Sequence, residues 1–281
     1  MAHIPAVEFE HCRELAVPPG SVFEFTSRFL PADKLEPVLA LYALRQAVSS
    51  IPHGRADDSV KWAKLRWWSE ELVADPAASV RHPVFRALWL SGARVRLSNP
   101  LLQQMVGDAL RQIDAAPDSD EAAMFERLAA IGGTDIQLEL ALDGAEIDQH
   151  RLAYLGAATG TFSLISSFAA NHRRETARLP LSLLAKYNVS ASALEENTHA
   201  AKLAQIIERL AERSLEWFNA GLSDLKFNPV PSACSHLQLR WAMEKRRLNE
   251  IRNDAPGFLV AGKRYGPVDA WFAWRFLRKL K

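Results

Sequence analysis

Apolar residues recur at three- and four-residue intervals along almost the whole chain, and no stretch sustains the two-residue alternation of a half-buried strand. The pattern predicts an all-α protein. Pro31-Ala32-Asp33 opens a helix that runs toward Pro52, with Leu35, Val38, Leu39, Tyr42 and Leu44 as its apolar face. Pro52 ends it, because proline lacks an amide donor and clashes with the preceding turn. Asp57-Asp58-Ser59 has the composition of an N-cap for a second helix, which carries Trp62, Leu65, Trp68 and Leu72 inward. Further helices are expected at 83–91, 100–115, 120–142, 148–171, 181–187, 191–225, 232–252 and 267–280. The connections are short and marked by Pro, Gly, Asn and Asp, and neither a linker nor an internal repeat interrupts them. One domain over 1–281 is the expectation, with 254–266 as a mobile loop before the last helix.

Composition narrows the function classes. With 281 residues, 48% hydrophobic and 24% charged, the chain can build a large core. A net charge of +1 creates no global field, so an electrostatic partner must be met by a local patch, and nucleic-acid binding is not expected. Cys12 and Cys234 are the only cysteines, without disulfide or metal-ligand spacing, which suits a reducing, cytoplasmic setting. Met1 to Val7 has neither a basic nor an apolar leader region, so no secretion signal is expected. The uncharged run Leu152 to His172 approaches the roughly 20 residues of a membrane span. Its Ala, Gly, Ser and Thr content, with Arg173 and Arg174 directly after it, predicts a helix buried in protein instead.

No P-loop, Gly-x-Ser-x-Gly, His-Glu-x-x-His or dinucleotide fingerprint is present. The informative positions are two pairs of serines. Val22 to His53 reads VFEFTSRFLPADKLEPVLALYALRQAVSSIPH and resembles the opening of squalene and phytoene synthases, where a D-D-x-x-D sequence follows the LYA helix. The three acids fall here on Ser49, Ser50 and His53. Leu155-Gly156 through Leu179-Pro180 keeps the length of that family's second landmark, with Leu155, Gly156, Ala158, Leu179 and Pro180 as its frame. The family's Arg-Asp pair falls on Ser166 and Ser167, its Glu-Asp pair on Ala170 and Asn171, and its Gly-Arg pair on Glu175 and Thr176. The resemblance is clearest over 22–189. It implies a single-domain, isoprenoid-synthase-type helical bundle around a central apolar cavity.

In that family, ionising an allylic diphosphate needs Mg²⁺ to neutralise the leaving group, and hard Mg²⁺ takes carboxylate, phosphate and water oxygens. Neutral serine hydroxyls at 49, 50, 166 and 167 cannot rebuild such a cluster. No catalytic residue and no cofactor are therefore expected. Mg²⁺ enters only if a non-standard site forms from Asp57, Asp58, Asp135 and Glu139. The ordinary reading of Asp57 and Asp58 is a helix cap, and of Asp135 and Glu139, one turn apart, a solvated acidic face. Tyr42, Gln46, Arg173, Arg174 and Arg178 are the ligand-binding candidates. The three arginines follow the helix that would line the cavity and could meet an anionic head group, or simply complement the dipole of a helix end. His53 and His172 receive no role.

Three surfaces add to the picture. Pro267 to Lys281 mixes Trp271, Phe272, Trp274, Phe276, Leu277 and Leu280 with Arg275, Arg278, Lys279 and Lys281, which suits a bilayer or a partner protein. The favoured expectation is nonetheless a terminal helix whose aromatics dock on the core while its cations stay wet. Lys245-Arg246-Arg247 is expected on a solvated face. Gly156 and Gly160 share a helical face and are expected to permit close helix packing.

Loss of both acidic motifs with the frame retained is similar to the mitochondrial complex I assembly factor branch of the superfamily. LRQAVSSIPHGRADDSVKWAKLRWWSEEL fits that branch better than the active one. The resemblance implies a non-catalytic protein that binds an isoprenoid, a lipid or a protein partner, with respiratory complex assembly as its setting. Two alternatives stay open: an active prenyl transferase on farnesyl or geranylgeranyl diphosphate with a non-standard metal site, and a regulatory subunit of a true synthase. The expected location is cytoplasmic, with a peripheral position at the inner membrane face as the variant.

Overall fold

The computed structural model describes residues 7–74, 82–175, 179–190, 200–223, 234–262 and 265–280, with backbone alone over 169–175. Among the described residues every regular element is helical, as the spacing predicts. The helices are α1 (Val7–Ala16), α2 (Val22–Thr26), α3 (Ala32–Ser49), α4 (Asp58–Val73), α5 (Pro83–Leu90), α6 (Asn99–Leu110) and α7 (Glu121–Leu142). They continue with α8 (Gln149–Glu175), α9 (Leu181–Lys186), α10 (Ala200–Leu222), α11 (Ser235–Asn253), α12 (Ala255–Ala261) and α13 (Pro267–Leu280). Two compact units divide the chain: Met1–Ala115 with Thr134–Glu146, and Ala116–Gly133 with Ile147–Lys281.

In the first unit α3 is the axis. Pro37 to Leu41, Ala43 and Leu44 are all buried, so this helix is apolar nearly all round and enclosed by its neighbours. Helices α1, α5 and α6 pack on it. It ends at Ser49, short of the expected Pro52, where Ser50 closes the last turn through its amide to the Gln46 carbonyl at 3.1 Å. A residue before proline is pushed out of the α region, which stops the helix upstream of the ring. Leu65, Trp68 and Leu72 of α4 face the core as expected, but Trp62 is 41% exposed. At about 100° per residue it sits well off the stripe formed by the other three. Helix α1 escapes sequence detection because Phe9, Cys12 and Ala16 alone form its buried stripe.

In the second unit α8 runs along α10, and α10 against α11. The Ser214 hydroxyl donates to the Ala158 carbonyl at 2.9 Å, and Arg151 Nε donates to the Gly221 carbonyl at 3.2 Å. Helices α7 and α8 touch backbone to backbone through Gly132 and Gly156. A Cβ at Gly156 would lie 2.5 Å from the Gly133 nitrogen and 2.8 Å from the Ala129 oxygen. The glycines therefore serve packing. As far as Phe168 the uncharged run is a helix with a buried face: Leu155, Ala157, Ala158, Ile165 and Phe168 are fully buried, and no described helix is long and apolar enough to cross a membrane.

Two expectations fail in this unit. The segment expected as a mobile loop holds α12, capped by the Asp254 carboxylate, which accepts the Gly257 amide at 3.0 Å. Pro256 and Gly257 read as loop residues in sequence, yet proline fits the first helical turn, where its missing donor costs nothing. Lys245-Arg246-Arg247 is no solvated face. Arg247 is buried and bonds Glu250 at 3.0 Å, Arg246 pairs with Asp269 at 3.1 Å, and burial pushes the Lys245 ammonium below its usual range.

Candidate functional site

The polar cluster that the sequence resemblance draws attention to lies in the first unit, where α3 meets residues 134–142 of α7. Tyr42 and Arg45, one turn apart on α3, face Asp135 and Glu139, one turn apart on α7. Arg45 Nη2 donates to Asp135 Oδ2 at 2.5 Å, and its Nη1 lies 4.0 Å from Glu139 Oε2. The Tyr42 hydroxyl donates to that same Glu139 oxygen at 2.8 Å. Arg45 also stands over the Tyr42 ring, 4.8 Å from its centre, and Phe23 stacks on the same ring with 3.7 Å between centres. Glu139 is 4% exposed and Asp135 half-buried, so the solvated acidic face expected from sequence is replaced by two carboxylates that meet a cation. Tyr42 makes the face possible: its flat ring packs like an apolar residue while its hydroxyl supplies a donor to a buried carboxylate.

A second layer extends the network. The Thr134 hydroxyl donates to Asp108 Oδ2 at 2.7 Å and receives the Gln104 amide at 2.9 Å, while Arg111 pairs with the other Asp108 oxygen. Burial pushes the Asp108 carboxyl above its usual range, opposed by the Thr134 bond and the Arg111 charge and assisted by the charge of Asp135.

Among the described residues, Asp135 and Glu139 do not fit the Mg²⁺ that the fold family implies. A hard dication needs several carboxylate oxygens with free lone pairs. Asp135 and Glu139 meet the Arg45 guanidinium instead, a fixed cation where a metal would have to compete. Among the described residues no group of three or more His, Cys, Asp or Glu side chains could hold a metal ion. Asp57 occupies the cap position of α4 through its backbone, its carbonyl accepting the Val60 and Lys61 amides at 3.0 Å, and Asp58 pairs with Lys61 at 2.8 Å.

Of the motif positions, Ser49 and Ser50 are exposed at the end of α3, with the Ser50 hydroxyl donating to the Ala47 carbonyl at 3.3 Å, and His53 is half-buried in the following turn. Gln46 is exposed. Ser50 borders a cleft of about 780 Å³ in the first unit, shared with His11, Val60, Lys64, Trp67 and Trp68. His82 closes it. Its Nδ1 accepts the Val84 amide at 3.3 Å, and burial with the neighbouring His11 lowers its pKa against the pull of Glu71. Ser166 and Ser167 are half-buried on α8 in the second unit, with Ser167 donating to the Leu164 carbonyl at 2.7 Å. The side chains of Ala170, Asn171, Arg173 and Arg174, and all of Arg178, lie outside the described residues.

Arg45 is the residue that the sequence reading missed. It is the single charge between Glu36 and Ser50, in the otherwise uncharged last three and a half turns of α3, and three residues from Tyr42. A lone charge in a buried helix needs a partner, and that was the available signal.

None of the curated proteins compared matches the chain. Among solved structures, a dehydrosqualene synthase in complex with ligand is similar with a TM-score of 0.71 at 16% identity, over 97% of this chain and 95% of that one. Squalene synthase HpnC from Alicyclobacillus acidocaldarius gives 0.64 at 21% identity, over 88% and 93%. A ligand complex of TcSQS gives 0.73 at 12% identity, over 97% and 85%. At these identities the likeness concerns the all-α fold. A family model described as Squalene/phytoene synthase matches residues 19–265, most of the sequence, and so the chain belongs to the squalene/phytoene synthase family.

Proposed function

We propose that this protein is a member of the family without prenyl-transfer chemistry, which binds an isoprenoid or lipid ligand or a protein partner and turns over no diphosphate. The observation that carries this reading is Arg45, held 2.5 Å from Asp135 and 4.0 Å from Glu139. A guanidinium there satisfies the carboxylates electrostatically and cannot exchange, accept a phosphate-bridged second ion or release product as Mg²⁺ does. The uncharged Ser49, Ser50 and Ser167 support it, because each stands where the resembling family's landmarks carry an acid, and Ser166 stands where they carry an arginine. The likeness of Leu44 to Leu72 to the assembly factor branch supports respiratory complex assembly as the setting.

Titration of farnesyl diphosphate by calorimetry, with and without Mg²⁺ and with diphosphate release followed in parallel, tests the reading. Absence of release at any Mg²⁺ concentration is the expected result. Mg²⁺-dependent binding with release overturns it in favour of an active transferase. Copurification with a synthase that retains both acidic motifs would instead make the chain a regulatory subunit.

A further inference from the structure

The last helix, α13, has two faces of opposite character. Ala273 is fully buried, and Phe272, Phe276, Leu277 and Leu280 are half-buried, on a helix that packs on α11. Arg246 of α11 anchors this inner side, bonding Asp269 at 3.1 Å and standing 5.2 Å from the Phe272 ring centre. Val268, Trp271, Trp274, Arg275, Arg278 and Lys279 are all exposed, and at the helical repeat they fall within an arc of about 140°. The two tryptophans are 56% and 51% exposed. The expectation that all the aromatics dock on the core therefore holds for the phenylalanines and fails for the tryptophans.

The outer face carries no acid. Asp269, the one acid of α13, is turned to Arg246 and to the Gly266 amide at 2.9 Å. Each exposed indole is paired with a cation one turn on: the Arg275 guanidinium lies 5.3 Å from the Trp271 ring centre and that of Arg278 lies 4.7 Å from Trp274. We propose that this face is a docking surface for an anionic lipid bilayer, on which α13 lies in the interface plane with its indoles among the head groups and its cations on lipid phosphates. Indole is amphipathic and favours the head-group layer, where apolar ring and N–H are both satisfied. Cations near an anionic leaflet add about fivefold in affinity each. A dry protein interface is the poorer occupant, because drying either indole would also strip water from the guanidinium stacked on it, whereas a head-group layer takes both groups. This inference concerns the second unit and does not depend on whether the Arg45 cluster has lost prenyl transfer.

The test is cosedimentation of the full chain with vesicles of phosphatidylcholine alone and of an equal phosphatidylcholine–phosphatidylglycerol mixture. Binding to the mixed vesicles, weaker binding to the neutral ones and loss in high salt are expected. R275E/R278E should weaken binding to mixed vesicles at least about tenfold, R275K/R278K should restore it, and W271S/W274S should abolish the blue shift in emission on vesicle addition. Circular dichroism should show unchanged helix content, since all four side chains are exposed. Protein that stays in the supernatant with anionic vesicles, or binds them equally well after R275E/R278E, overturns the proposal. Capture of a protein partner by this face without vesicle binding also overturns it.

Discussion

Arg45→Ala is the perturbation that most directly probes the proposed function, because it removes the cation that meets Asp135 and Glu139. The substitution removes the cation 2.5 Å from Asp135 and 4.0 Å from Glu139, and leaves Glu139, 4% exposed, in the interior. Two unit charges about 4 Å apart attract by about 4 kcal/mol at an effective dielectric of about 20. The Asp135 side chain is 26% exposed and that of Arg45 15%, so water screens part of this. Breaking a buried pair costs about 3–5 kcal/mol, and with that screening the loss should be about 2–4 kcal/mol. In a protein of this size it corresponds to a fall in Tm of about 4–8 °C. Urea unfolding followed by circular dichroism measures it. R45A/D135N/E139Q should recover at least half of the loss, because the cost lies in the uncompensated carboxylates. Mg²⁺ should leave wild type unchanged and stabilise R45A, where two carboxylates then face a vacated cation position. A variant within about 0.5 kcal/mol of wild type, the range of ordinary surface substitutions, would refute the reasoning.

Three further outcomes follow from packing and burial. Gly156→Ala places a methyl against the α7 backbone and should cost about 1–3 kcal/mol, whereas Gly107→Ala, whose Cβ meets only Arg111 Nη1 at 3.6 Å, should stabilise by up to about 1 kcal/mol; thermal melts of the two separate close packing from helix propensity. Trp68→Ala should cost about 3–5 kcal/mol, and Trp62→Ala no more than about 0.5 kcal/mol; equal effects would contradict the exposures of 4% and 41%. Burial raises the Asp108 pKa, so the native state holds this proton more tightly than the unfolded chain. Its contribution is present below the unfolded value near pH 4 and is lost as pH rises through the folded value. The stability of wild type relative to Asp108→Asn should therefore decline with rising pH, and a difference that is flat or grows across paired urea titrations would refute the assignment.

Leu155, Gly156 and Ala158, named in the sequence resemblance as a frame, form a packing surface: Gly156 admits α7, and the Ala158 carbonyl accepts the Ser214 hydroxyl. Such contacts depend on helix separation and tolerate no added volume. Ser49 and Ser50 carry no packing duty of that kind, since both are exposed at a helix end.

The all-α class was legible because periodicity is local. A stripe such as Leu65, Trp68 and Leu72 reports its buried face without knowing the neighbour. The same locality explains the failures. Helix α12 hides behind Pro256 and Gly257, which punctuate loops in sequence but sit in a first turn capped by Asp254. Helix α1 has too short a stripe to register. Absence of acids at positions 49, 50, 166 and 167 was likewise visible in the sequence, because it is a matter of residue identity alone. What the chain could not reveal by itself was pairing across distance: Arg45 with Asp135 and Tyr42 with Glu139 are separated by 90 and 97 residues, and whether a carboxylate faces water, a metal or a guanidinium is decided by what tertiary packing sets beside it. The same holds for α13, where sequence placed aromatic and basic residues on one helix but only the packing against α11 decided that the phenylalanines turn inward and the tryptophans stay with the cations outside.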